Sequence, residues 1–162
     1  MKPLEKSESA VGPASLLQAA GLSNQVGFVL RFAQMAVWDD LVATFQPFAL
    51  RPVHYSVLSI LRAVPGCRQQ EVGEALGVLR PNLVTLIDGL ETRGLLRRKV
   101  HPDDRRSHAL YLTADGVKVL DEMDRAHAKH ERRVNALFSK SERATFMESL
   151  LRLARLGDNT PL

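Results

Sequence analysis

The chain has 162 residues, 45% of them hydrophobic and 25% charged, a balance that suits one globular domain with a modest core. Its formal net charge of +4 and pI near 9.6 favour a polyanionic partner over an acidic or neutral one. The lone Cys67 excludes an intramolecular disulfide, no apolar run approaches the ~20 residues of a membrane span, and the first dozen residues lack a signal-peptide core, so the expectation is a cytoplasmic protein.

Residues 1–22, with Lys, Glu, Ser, Gly and Pro mixed near the start, read as a disordered leader. Leu22-Ser23 then offers an N-cap for a long helix with apolar positions Val26, Val29, Leu30, Ala33, Val37, Leu41 and Phe45, ending before Pro47. Pro52 suits the first turn of a second helix, which Pro65-Gly66 stops. A short third helix spans about Gln69 to Leu76, and Gly77 suits the turn of a helix-turn-helix. The fourth starts at Arg80, with Leu83, Leu86, Ile87 and Leu90 forming one apolar face, and Gly94 ends it. Leu95 to Val100 is too short and too basic for another helix and reads as a strand. A polar tip, His101 to His108, separates it from a second strand, Ala109 to Thr113. Thr113 can cap a long helix to about Leu137, and Ser139 with Glu142 forms a capping box for a last helix to about Leu156.

This order predicts a mainly α fold with a small β-wing. A winged helix-turn-helix core, residues 52–113, would be flanked by long dimerisation helices at 23–47 and 114–157. The long helices carry apolar stripes that a second copy would cover, against the alternative that they close a monomeric core.

Between Arg93 and His108 lie six Arg or Lys residues and only two acids, Asp103 and Asp104, with two histidines. Such a hairpin can lie along phosphates and push a side chain into the minor groove, where negative potential attracts arginine. A free polar end on the preceding helix is what the major groove accepts. Arg80 and Asn82 can reach guanine and adenine edges, and Thr85 a thymine methyl or a phosphate. In the hairpin, Arg106 is the candidate for minor-groove insertion and Arg105 for phosphate contact. Asp104 would pair with Arg106 and direct it, while Arg97 and Arg98 add positive charge on the first strand. Each of these has a plain alternative as a solvated surface residue.

The segments LRPVHYSVLSIL, EVGEALGVLRPNLVTLIDGLETRGLL and HPDDRRSHALYLTADG, with the ending ERRVNALFSKSERATFMESLLRL, resemble the MarR family of bacterial transcription regulators over about residues 24–157. The most specific element is the Asp104-Arg105-Arg106 tip followed by the L-T-x-x-G helix start at Leu112–Gly116. The resemblance implies a homodimeric regulator of a palindromic double-stranded operator, one that a small aromatic ligand releases. Three positions depart from the pattern: Arg68 and Leu79 stand where helix caps are usual, and His101 replaces a common wing aspartate.

Arg31, Trp38, Arg51, His54 and Tyr55 lie on or beside the first two helices, where the resemblance places an effector cavity. Aromatic rings with basic neighbours suit an aromatic acid or its acyl-CoA thioester, and core packing is the alternative. Cys67 reads as a small buried hydrophobe ahead of a redox sensor. His127 and His130, three apart, read as a solvated or interfacial helix face ahead of a metal pair. No Gly-rich phosphate loop, H-E-x-x-H, G-x-S-x-G or repeated C-x-x-C is present, so neither an enzyme nor a cofactor is expected. A redox- or metal-responsive regulator and a winged-helix module that binds protein remain as alternatives.

Overall fold

Residues 13–101 and 104–155 are described by the computed structural model, residues 104–106 through their backbone alone. The elements run α1 (Pro13–Ala19), α2 (Val26–Phe45), α3 (Pro52–Ala63), α4 (Gln69–Leu76), α5 (Arg80–Thr92), β1 (Leu96–His101), β2 (Asp104–Leu112), α6 (Ala114–Asn135) and α7 (Lys140–Ala154). The mainly helical fold with one antiparallel hairpin agrees with the expectation. Contacts divide the chain into a unit ending at Asp39 and a second unit that begins at Asp40, within α2.

In the first unit the predicted leader is partly helical. Pro13 opens α1, Leu16, Leu17, Gln18 and Ala19 are good helix formers, and Gly21 in the left-handed region (φ 68°) ends the run. Leu22–Asn24 forms a 3-10 turn, so α2 begins at Val26 and Ser23 is no N-cap. The α2 side chains Val26, Val29, Phe32, Met35 and Trp38 are exposed in the single chain.

The core of the second unit joins Phe45, Val57, Leu58, Leu61, Val72, Leu83, Ile87, Leu90, Leu96, Leu110, Leu120 and Met123. Between α4 and α5, Gly73 permits close approach, since a Cβ there would lie 2.8 Å from Leu83 Cδ2. Gly77 (φ 61°) makes the turn between them. Arg68 offers no cap to α4, but the Glu71 carboxylate reaches back and accepts from the Arg68 N–H at 2.7 Å. Leu79, 73% exposed, leaves α5 without a side-chain cap.

The hairpin pairs Leu96 with Leu112 through Val100 with His108, then breaks register between Val100 and His101. Residues 104–108, expected in the tip, therefore belong to β2. The stretch Gly66–Arg68 adds to the other edge of β2: Gly66 N–H donates to the Leu110 carbonyl at 2.8 Å, and Leu110 N–H donates to that of Cys67 at 3.0 Å. Thr113 then caps α6, its Oγ1 accepting from Gly116 N–H at 3.0 Å and donating to the Gly94 carbonyl at 2.6 Å. Helix α6 stops at Asn135, short of Leu137, and α7 carries the expected capping box at Ser139 and Glu142. Leu156 lies outside the described residues.

Candidate nucleic-acid interface

Helix α5 buries Leu83, Leu86, Ile87 and Leu90 and leaves Arg80, Asn82 and Thr85 exposed near its N-terminal end. The apolar spacing fixes that outcome, because residues at i, i+3, i+4 and i+7 share one face and the positions between them face water. Thr85 Oγ1 donates to the Pro81 carbonyl at 3.3 Å, a weak local bond that a better partner can displace. Arg97 is exposed on β1, opposite Tyr111, and Lys99 on the same face lies over the Tyr111 ring with Nζ 5.3 Å from its centroid. Asp104, Arg105 and Arg106 sit at the start of β2; their side chains, and with them the expected Asp104–Arg106 pair, lie outside the described residues.

Arg98 departs from its expected role. It shares the inward parity of the strand with Leu96 and is only 19% exposed. Its guanidinium donates to Asp88 and Glu91 of α5, and its backbone N–H donates to Glu91 Oε1 at 2.9 Å. Arg98 is thus an internal brace between β1 and α5. Sequence reasoning missed these partners, although Asp88 and Glu91, three apart on one helix face, carried the signal.

A second brace joins the end of α5 to the turn after α2. Arg93 donates to the carbonyls of Ala49 at 2.7 Å and Phe48 at 2.9 Å, where Ala49 adopts a left-handed conformation (φ 50°). Beside it, His54 Nδ1 accepts the Arg51 N–H at 2.8 Å. Burial, then the charges of Arg51 and Arg93, lower the His54 pKa and favour the neutral ring that this bond needs.

The expected effector residues divide between the two units. Arg31 and Trp38 are exposed on α2 in the first; Arg51, His54 and Tyr55 belong to the second. Tyr55 is already engaged: its hydroxyl donates to Asp124 at 2.9 Å, and its ring stacks on His127 and packs against Phe45, with centroids 5.0 and 5.1 Å away. Burial first, then the bond to Asp124, raises its pKa.

Of the two expected settings for His130, a solvated or an interfacial helix face, the solvated one does not hold. His130 is 2% exposed, with Nδ1 2.6 Å from Asp40 Oδ2, and Arg133 donates to the same oxygen and to Thr44. Among the described residues no three His, Cys, Asp or Glu side chains gather as metal ligands. Cys67 is buried, and desolvation followed by the Glu71 charge pushes its thiol up, away from the reactive thiolate.

Arg133, then His130, hold the Asp40 carboxyl below its ordinary range through their hydrogen bonds. Its ionised form therefore favours the folded chain at pH values above about 4, and that contribution is lost as acid protonates the group. Asp40→Asn is expected to lower the melting temperature near neutrality, with a deficit that shrinks below about pH 4. Thermal unfolding from pH 7 to 3 tests this, and a deficit independent of pH would contradict it.

A model of the MarR family matches residues 50–107, the stretch from the turn after α2 through the wing. A transcriptional regulatory protein for the hcr operon of Thauera aromatica is 30% identical over 141 residues, 86% of this chain and 85% of that protein. The chain belongs to the MarR family. It is accordingly a DNA-binding transcriptional regulator and not an enzyme. Among solved structures, the repressor CouR bound to a 23-mer DNA duplex is 40% identical with a TM-score of 0.78, covering 82% of this chain and 94% of that one. CouR bound to p-coumaroyl-CoA is 37% identical with a TM-score of 0.75 over the same shares of the two chains. Among the described residues no helix is long and apolar enough to cross a membrane.

Proposed function

We propose that this regulator represses a nearby catabolic operon from the cytoplasm and leaves its palindromic operator when an aromatic acid, or more specifically its acyl-CoA thioester, binds. The observation that carries the DNA half is the exposed Arg80–Asn82–Thr85 end of α5 beside the basic hairpin. In this reading α5 enters the major groove, Arg105 and Arg97 meet phosphates, and Arg106, directed by Asp104, enters the minor groove. The exposed apolar side chains of α2 and of α7, including Phe146 and Leu151, would be covered by the second copy. Two-fold pairing then sets two recognition helices about one helical turn apart on the duplex.

The effector half is supported by the relative that binds p-coumaroyl-CoA. It is supported also by the basic and aromatic side chains of Arg51, His54 and Tyr55 in the second unit, with Tyr55 contributing a ring face instead of its engaged hydroxyl. A ligand releases DNA only by preferring a conformation whose recognition helices no longer match the half-sites. Titrating p-coumarate and p-coumaroyl-CoA against a labelled operator complex is expected to release DNA with the thioester at lower concentration. Arg31→Ala and His54→Ala are expected to need more of it. If neither compound shifts the complex, or both variants respond like the parent, the effector assignment is wrong.

A further inference from the structure

We propose that Arg98 is a positioning residue that locks the wing to the recognition helix, so that α5 and the hairpin meet DNA as one rigid reading head. The proposal rests on the reading of α5 and the hairpin as the DNA-binding face.

One guanidinium joins three elements. It donates to Glu91 and Asp88 on α5, and its Nε donates to Gln69 Oε1 at the start of α4 over 3.4 Å. The Arg98 backbone N–H reaches the second oxygen of Glu91, so both the strand and its side chain are fixed to the same carboxylate. The forked guanidinium suits this arrangement, because separate N–H groups address separate carboxylates while the side chain is mostly withdrawn from water.

The charge of the cluster argues against a direct contact with DNA. One cation faces two carboxylates, so the group as a whole repels phosphate, in a segment otherwise rich in arginine. Two acids on the recognition helix are a cost to DNA binding unless they hold something in place. What they hold is the root of β1, from which the hairpin runs to Asp104–Arg106. Helix and wing must engage neighbouring grooves together. A hairpin free to pivot would lose that freedom on binding, which weakens the complex without removing any contact.

Binding of one labelled operator duplex, measured by anisotropy across a salt series, separates positioning from contact. Arg98→Gln is expected to weaken binding by about tenfold while leaving the salt slope unchanged, because no phosphate contact is lost. Asp88→Asn with Glu91→Gln is expected to weaken binding as well, although it removes two negative charges. Combining all three changes should be no worse than either set, since both break one clasp. Circular dichroism establishes that each variant is folded. If Arg98→Gln does not fold, the acid pair decides alone.

Tighter or unchanged binding by the acid-neutralised protein overturns the proposal. So does a salt slope that falls in Arg98→Gln by about 0.9 per copy, the mark of a lost phosphate contact. Arg80→Ala, measured alongside, reports on the reading face itself. Weakening by Arg80→Ala with no effect of the acid pair would overturn the clasp and leave the DNA-binding face standing.

Discussion

Gly116→Ala is expected to be among the most destabilising single changes in this chain, even though it exchanges one small residue for another inside a helix. A Cβ at Gly116 would run into the Leu95 carbonyl, and backbone on both sides leaves nowhere to move. The contact is tight because Thr113 draws the first turn of α6 onto the end of α5. Its N–H donates to the Leu95 carbonyl at 3.2 Å, and its hydroxyl bridges Gly94 and Gly116. Alanine's better helix propensity, about 1 kcal/mol, cannot offset forced separation of two elements, which costs about 3 kcal/mol. The net loss should lower the melting temperature by roughly 4–8 °C at fixed protein concentration. Thr113→Ala, which removes the cap but introduces no clash, should cost about 1 kcal/mol. A melting temperature for Gly116→Ala within a degree of the parent would show that α6 can shift freely.

Arg106→Ala is expected to have the largest effect on DNA affinity. In the proposed reading it removes the cation that enters the minor groove and leaves α5 untouched. The expected loss is about 1–3 kcal/mol, roughly five- to 150-fold in affinity. Asp104→Ala should weaken binding less, since it only frees the arginine from its guide. On the reading that Asp104 acts through Arg106, the double variant should resemble Arg106→Ala alone. Parental affinity in the double variant would remove the hairpin from the interface.

The helices of the DNA-binding core were legible because their apolar positions repeat at helical spacing and their ends carry Gly or Pro. Gly77 and Gly94 close helices where expected, and α3, α4 and α5 keep their expected extents. The hairpin was legible in kind but not in register. Polar residues 104–108 look like a tip, yet backbone pairing does not require apolar side chains, and β2 runs through them.

Side-chain roles were the least legible. Arg97 and Arg98 look alike in the sequence, but strand alternation turns one to solvent and the other onto the paired acids of α5. His130 looked like a solvated or interfacial helix position because its partner, Asp40, lies 90 residues away along the chain. The L-T-x-x-G motif identified the family before its physical basis was visible. The structure supplies that basis as a threonine cap and a backbone approach that only glycine permits.

The central claim is that two copies of α5 and the wing neutralise phosphates on one duplex. The most direct measurement is the affinity of the purified protein for a palindromic operator across a salt series, with the protein's mass on the duplex determined by sedimentation. A dimer on the duplex is predicted, with log affinity falling against log salt by about 0.9 for each phosphate neutralised and several phosphates per copy. A monomer on the duplex, or an affinity indifferent to salt, would contradict it.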